Sequence, residues 1–329
     1  SNGRCWSQLN YGGNVKTTIV IDTHNLLYRS HYSHQDLTSD DGHSTGAMFG
    51  TLMALYRHRM RYPKAEIIFV WDGPPDENGK RSWRYEAYPK YKANRKHHTP
   101  EPDDNVKMVH SQMDPLYMML KYAGYLQYRI PGLEADDMIG LTVSRLHSES
   151  HRVFIDSSDK DFHQLLGYGS NVRILFKGKQ FGPSQLQLKY DIWPSQWVGY
   201  RALMGDPSDC IPGIYGCGPA GAAKLMNMGA LPARPWTAQS SEVQQQVKEK
   251  LWKNVPLWYK LSKIITRSSD PLLLHGISSE KHSTFVKGLI RHKPPKPQKK
   301  RFVGLLAEYN LRAVMEHRHQ LIAVRHSGG

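Results

Sequence analysis

The chain is poor in cysteine, with three in 329 residues, at positions 5, 210 and 217. So few exclude a disulfide framework, and their spacing is not that of a structural zinc site. A reducing, cytoplasmic setting is the expectation. Long apolar runs are also missing. None approaches the roughly 18 residues that a membrane span needs, so no membrane association is expected. The opening stretch, SNGRCWSQLNYGG, lacks the charged-then-apolar order of a secretory signal, and residues 1–16 are read as an N-terminal tail. Histidines number 17, yet no HExxH or comparable pairing occurs. Acid is the scarcer charge: 29 Asp and Glu face 44 Lys and Arg, a formal net charge of +15 with a pI near 9.6. Such an imbalance favours a polyanion, nucleic acid first and an anionic membrane surface second. The second would need a helix with one basic face, and none is found.

The basic residues are clustered. Residues 80–98, KRSWRYEAYPKYKANRKHH, hold seven Lys or Arg against the single Glu86, with Trp83, Tyr85, Tyr88 and Tyr91 interleaved. Cations neutralise phosphates and aromatic faces can stack on unpaired bases, although a solvated loop would have a similar composition. His97 and His98 fit phosphate contacts better than metal ligation. A second stretch, RHKPPKPQKKR at 291–301, has six basic residues and no acid, and its prolines argue for an extended arm.

Strand and helix patterns alternate. β-Branched or apolar runs at 17–21, 67–71 and 153–155 read as buried strands, and each leads into aspartate: Asp22, Asp72, then Asp159 and Asp161. Helical periodicity separates them at 45–60 and 109–125. This order predicts an α/β fold with a central parallel-type sheet flanked by helices. In such sheets ligands bind beyond the carboxyl ends of the strands. Residues 17–190 would form this core, and 191–329 a helical C-terminal region.

One strand ending in Asp means little, because Asp is a common cap and turn residue. GLEADDMIG, at 132–140, adds Glu134, Asp136 and Asp137 within four positions, flanked by apolar residues. These acids should open a helix, ADDMIGLTVSRL, whose N-terminal dipole favours negative charge by about 0.3–1 kcal/mol. That is too little to offset several converging anions at the edge of a core. Divalent cations would compensate, and an all-oxygen site suits Mg²⁺ or Mn²⁺. A third block, QWVGYRALMGDPSDCIPGIYGCGPAGAAKLM at 196–226, places Asp206 and Asp209 after a short helix. A glycine-rich turn follows, in which Gly213, Gly216 and Gly218 would let the backbone approach a phosphate.

Taken in order, GLEADDMIG, SSDKDFHQLL, ALMGDPSDCIPGIYGCG and SWRYEAYPKYKANR resemble the structure-specific 5′-nuclease (flap endonuclease) family. That family includes phage 5′-exonucleases and the 5′-nuclease domain of bacterial DNA polymerase I. The resemblance covers about 17–228, with a weaker echo in KKRFVGLLAEYNLRAVM. It implies a PIN-like core, a helical arch over about 78–108, a helix–three-turn–helix DNA-binding element at 196–226, and a basic stretch at 289–301. By position, it implies a first metal site on Asp22, Asp72, Glu134, Asp136 and Asp137, with Asp159 close by. A second would use Asp161, Asp206 and Asp209 and share Asp159. Lys92 would reach the scissile phosphate with Arg95 assisting, and Lys80, Arg81, Arg84, Tyr91 and Lys96 would join them in DNA binding. A potassium ion on the carbonyls of Ile211 and Ile214 is a further implication. Two departures stand out in the turn, where Cys210 replaces a common Asn and Pro219-Ala220-Gly221 a more polar stretch. Asp156 stands where relatives are usually apolar or small, and the sequence offers no reason for it.

The implied activity is hydrolysis of DNA phosphodiesters by two metals about 4 Å apart, leaving a 5′-phosphate and a 3′-hydroxyl. Substrates would be 5′ flaps, nicked or gapped duplex and 5′ ends, met in replication or repair by a monomer. No polymerase region follows, so a stand-alone enzyme, phage-encoded and working in the host cytoplasm, is expected. A PIN-like ribonuclease, removal of RNA primers, and a DNA-binding relative with weak catalysis are the alternatives. The 230–288 segment suggests helices packing behind the turn and no chemistry.

Overall fold

The computed structural model describes residues 15–94, 103–230, 253–266 and 293–323. Its centre is a six-stranded sheet in the order β3-β2-β1-β4-β5-β6. The strands are β1 (Lys16–Asp22), β2 (Glu66–Val70), β3 (Leu126–Tyr128), β4 (His151–Asp156), β5 (Val172–Phe176) and β6 (Lys179–Phe181). The first five are parallel, and β6 returns antiparallel through the Lys177-Gly178 turn. The three strands expected from sequence are β1, β2 and β4. The chain fills one side of β1 first, with β2 and β3, then crosses to put β4 and β5 on the other. The carboxyl ends of β1 and β4 therefore flank the topological switch point, where such sheets open a crevice.

Both sheet faces are covered, as near-continuous apolar strands require. On one face Ile19, Ile21, Ile67 and Phe69 pack with α1 (Thr23–Ser33), α2 (Gly46–Arg61), α4 (Asp104–Ser111) and α5 (Met113–Ala123). The helix Lys299–Glu308 joins that core through Phe302 and Leu306. On the other face Val20, Ile68, Val70 and Ile155 pack against α6 (Ala135–Leu146) and, further out, α8 (Trp197–Met204) and α9 (Pro219–Asn227). Between these lie α3 (Trp83–Ala87) after β2 and α7 (Pro183–Tyr190) after β6.

The helix expected over 109–125 is two helices. Gln112 separates them, its amide accepting from Met48 N–H and donating to Ser44 Oγ and the Met108 carbonyl. Pro115 fits only the first turn of a new helix. Of the basic arm, residues 293–298 have no helix or strand and lie against the end of α5, where Gln298 N–H donates to the Tyr122 carbonyl. Lys299 and Lys300 start the following helix, while 289–292 lie outside the described residues. So do Cys5, Arg95, Lys96, His97, His98 and most of the 230–288 segment.

Candidate metal centre at the sheet edge

Five chain segments, GLEADD among them, bring acids to the switch point. Asp22 ends β1 and caps α1, accepting Asn25 N–H at 3.2 Å, while its other oxygen accepts the Ser157 hydroxyl at 2.8 Å. Asp72 follows β2 and accepts Ala135 N–H at 2.8 Å, so it caps α6 from a neighbouring strand. This interaction ties the β2 end to GLEADD and uses the helix-terminus attraction for anions. Beyond β4, Asp159 opens a 3-10 helix and accepts Asp161 N–H at 2.8 Å. From the third block, Asp206 and Asp209 flank a one-turn 3-10 segment, and both are buried.

The carboxylate oxygens of Asp161, Asp206 and Asp209 come within 4.8 Å of one another. Electrostatics ties the rest together. Burial, and then the neighbouring Asp72, pushes the Asp22 carboxyl up to about 7 against the Ser157 hydrogen bond. Burial carries Asp136 well above the carboxylate range, with Asp159, Asp22 and Glu134 adding to it and Lys92 opposing. Burial also raises Asp161 to about 6; the Arg201 guanidinium resists, and Asp159 and Asp209 contribute. Anions that repel one another this strongly, with oxygen donors only, fit a hard divalent cation.

Three protein cations, Lys92, Arg84 and Arg201, already stand among these acids. Lys92 Nζ lies 2.5 Å from Glu134 Oε1, and Ser82 Oγ donates to Glu134 Oε2 at 2.8 Å. Burial would raise Glu134, but the Lys92 ammonium and Arg84 guanidinium outweigh it and hold its carboxyl well below the usual range. Arg201, at the end of α8, donates through Nε to Asp161 at 3.0 Å and through Nη2 to Asp206. Arg201, Ser157 and Ser82 were not singled out from sequence. The signal available for Arg201 was a lone cation one helical turn before two acids.

Asp137 is set apart from the other eight carboxylates. It is fully buried, one oxygen accepts Arg84 Nη1, and the other accepts Arg84 Nη2 and Ile265 N–H. Arg84 in turn donates to the carbonyls of Leu261 and Lys263 and to Glu134. Arg84, expected among the DNA-binding residues, is buried here, and its charge is paired with Asp137 and Glu134 inside the core. Tyr91, at 2% exposure, and Trp83, at 5%, are also core side chains rather than a stacking platform. Tyr91 packs edge-on against Tyr85. Lys80, paired with Glu86, and Arg81, over the Tyr85 ring, remain exposed.

The base of the 80–94 segment docks on the third block. Lys92 N–H donates to the Asp209 carbonyl at 3.1 Å, and Asn94 Nδ2 to the Pro207 carbonyl at 2.7 Å. Lys92 takes up a left-handed backbone (φ +53°), as does Cys210 (φ +57°). In the glycine-rich turn, Gly205 and Gly213 touch backbone to backbone. A Cβ on Gly213 would lie 2.5 Å from the Gly205 nitrogen, so glycine there serves closure of the turn. Gly216 and Gly218 have open space instead. The carbonyls of Ile211 and Ile214 accept Asp206 N–H and Cys217 N–H, each leaving one lone pair.

Residues 17–191 match the family model described as 5′-3′ exonuclease, N-terminal resolvase-like domain, and the chain belongs to that family. It is 33% identical over 209 residues to the thermostable DNA polymerase I of Thermus thermophilus, covering 63% of this chain and 23% of that one. It is 32% identical over 200 residues to a 5′-3′ exonuclease of Buchnera aphidicola (subsp. Schizaphis graminum), covering 60% of this chain and 66% of that one. The chain thus spans about a quarter of the polymerase and just under two thirds of the exonuclease. Among solved structures it is similar to the T5 D15 protein co-crystallised with metal ions (TM-score 0.62, 17% identity, 84% of this chain and 98% of that one). It is also similar to flap endonuclease-1 of Methanococcus jannaschii (TM-score 0.57, 16% identity, 94% and 92%). The fold is therefore that of the 5′-exonucleases and flap endonucleases.

Proposed function

We propose that this chain is a metal-dependent, structure-specific 5′ nuclease, acting as a flap endonuclease and 5′→3′ exonuclease on DNA. The observation carrying this reading is the convergence of eight carboxylates on the switch point, beside a segment rich in cations. Asp22, Asp72, Glu134, Asp136 and Asp159 would hold one Mg²⁺, and Asp159, Asp161, Asp206 and Asp209 a second, with Mn²⁺ able to substitute. When bound, such a pair supplies a hydroxide nucleophile and stabilises the leaving 3′-oxygen.

The protein's own groups do the rest. With its carboxylate partner engaged by metal, Lys92 would turn to the developing negative charge on the scissile phosphate, with Arg95 assisting. Arg81 and Lys80 would neutralise backbone phosphates, joined by Lys96. The backbone at Gly216 and Gly218 would approach the duplex, and Ile211 and Ile214 offer carbonyls to K⁺. No side-chain base is needed, which agrees with acids arranged as ligands. Substrates would be 5′ flaps, nicked or gapped duplex and 5′ ends in replication or repair. A monomeric, phage-encoded enzyme in the host cytoplasm remains the reading for its origin. Among the described residues, no helix is long and apolar enough to cross a membrane.

The test is a labelled 5′-flap duplex incubated with Mg²⁺, with EDTA, and with an Asp209→Asn variant. Cleavage should need Mg²⁺, leave a 5′-phosphate, and drop by at least 10²-fold in the variant. Cleavage that persists in EDTA would sink the proposal.

A further inference from the structure

A cavity of about 580 Å³ between α1, α2 and the β5–β6 turn shares no lining residue with the acidic cluster. Four full cations line it, Arg29, Arg57, Arg61 and Lys177, together with His34 and His58. Asp156 is the only acid in the lining. It is 5% exposed, and it accepts Arg29 Nη2 at 2.8 Å on one oxygen and His58 Nε2 at 2.7 Å on the other. Asp156 therefore neutralises one charge and fixes two donors in place, which leaves three cations in excess. Arg61 donates to the Gly178 carbonyl and lies 5.5 Å from the Tyr62 ring, and Lys177 lies 5.5 Å from the Phe176 ring, so neither has a carboxylate partner among the described residues. Arg57 is exposed and forms no ion pair among the described residues. Arg29 Nε is buried without a hydrogen-bond partner among them.

Crowding like charges around a concave wall costs free energy unless an anion shares the space. The volume falls within the range of about 300–1,000 Å³ typical of small-ligand sites and exceeds what inorganic phosphate needs. Leu26, Ala54 and Leu175 supply an apolar wall suited to a sugar or base. A guanidinium held in place, as Arg29 is by Asp156, matches the oxygens of a phosphate monoester, and the exposed Arg57 and Arg61 add further forks.

We infer that this cavity is a second anion site, separate from the metal centre, that takes a nucleoside 5′-phosphate group. Arg29 and His58, pinned by Asp156, form its base, and Arg57, Arg61 and Lys177 its mouth. The phosphate could come from a free nucleotide or from the 5′ end of a strand, since both present the same monoester. The inference does not depend on nuclease activity.

Calorimetry on the full chain in EDTA tests it, with deoxyadenosine 5′-monophosphate, deoxyadenosine, and a single-stranded decamer with and without a 5′-phosphate. Saturable binding of the monophosphate, none of the nucleoside, and at least tenfold weaker binding in an Arg57→Ala/Lys177→Ala double variant are expected. Both residues are exposed, so the variant should keep its melting temperature. If the phosphorylated decamer alone binds, and the double variant weakens it, the site stands with strand ends as its source. Absence of saturable binding by both phosphates overturns the inference, as does binding indifferent to the double variant.

Discussion

Arg84 grips Asp137 through two parallel hydrogen bonds of 2.8 and 2.9 Å, with both side chains buried. The pair also holds the 261–265 segment through the Leu261 and Lys263 carbonyls and Ile265 N–H. Breaking one side leaves an uncompensated buried charge. Arg84→Ala and Asp137→Ala should each lose about 3–5 kcal/mol, and a packed Arg84→Met/Asp137→Leu double variant much less. Denaturant titration measures this. Asp137→Asn should shift stability more than metal affinity, and the opposite result would restore Asp137 to the ligand set.

Lys92 competes with any cation for Glu134. Lys92→Ala should therefore bind Mn²⁺ several-fold more tightly, measured by calorimetry, while flap cleavage falls by roughly 10²-fold. Unchanged cleavage would reduce Lys92 to a counter-ion.

Arg201 spans Asp161 and Asp206. Replacing it with Met removes charge compensation from buried acids, so stability in EDTA should fall by roughly 3 kcal/mol. Mg²⁺ should recover a larger share in the variant than in the parent. Equal recovery in both would show that Arg201 does not balance that site.

Asp22 and Asp161 are raised to about 7 and about 6, above their unfolded values near 4. Between about pH 4 and 7 the native state holds protons that the unfolded chain has lost. Stability in EDTA should therefore decline as pH rises through that window, and Asp22→Asn should flatten the decline. Urea denaturation at pH 5 and pH 8 measures the difference, which saturating Mg²⁺ should reduce or reverse.

At Gly213 the left-handed backbone (φ +69°) and the contact with Gly205 both resist a side chain. Gly213→Ala should cost about 1–3 kcal/mol and weaken duplex binding, while Gly218→Ala should leave stability near that of the parent. Thermal melts of the two variants separate turn closure from backbone approach.

Much of the architecture was legible along the chain. The β-branched runs at β1 and β2 and the apolar run at β4 report burial on both faces, and the aspartates behind them mark the sheet edge. GLEADD announced a helix start, and α6 begins there at Ala135. β3 and β6, at three residues each, exist through pairing with neighbours and carry too little pattern of their own. The split at Gln112 likewise depends on a distant partner, Met48.

Residue type and order determined that acids would crowd one edge beside a basic, aromatic segment, because that follows from periodicity and strand direction. Only the tertiary structure decided which way each side chain turned. It sent Arg84, Trp83 and Tyr91 inward, and it separated Asp137 from Asp136 because adjacent helical residues point about 100° apart. It also gave Asp156 its partners, Arg29 and His58, which lie 127 and 98 residues away in the chain. A charge in a strand is an anomaly to the sequence alone; the counter-ions that make it stable come from elements that only folding brings near.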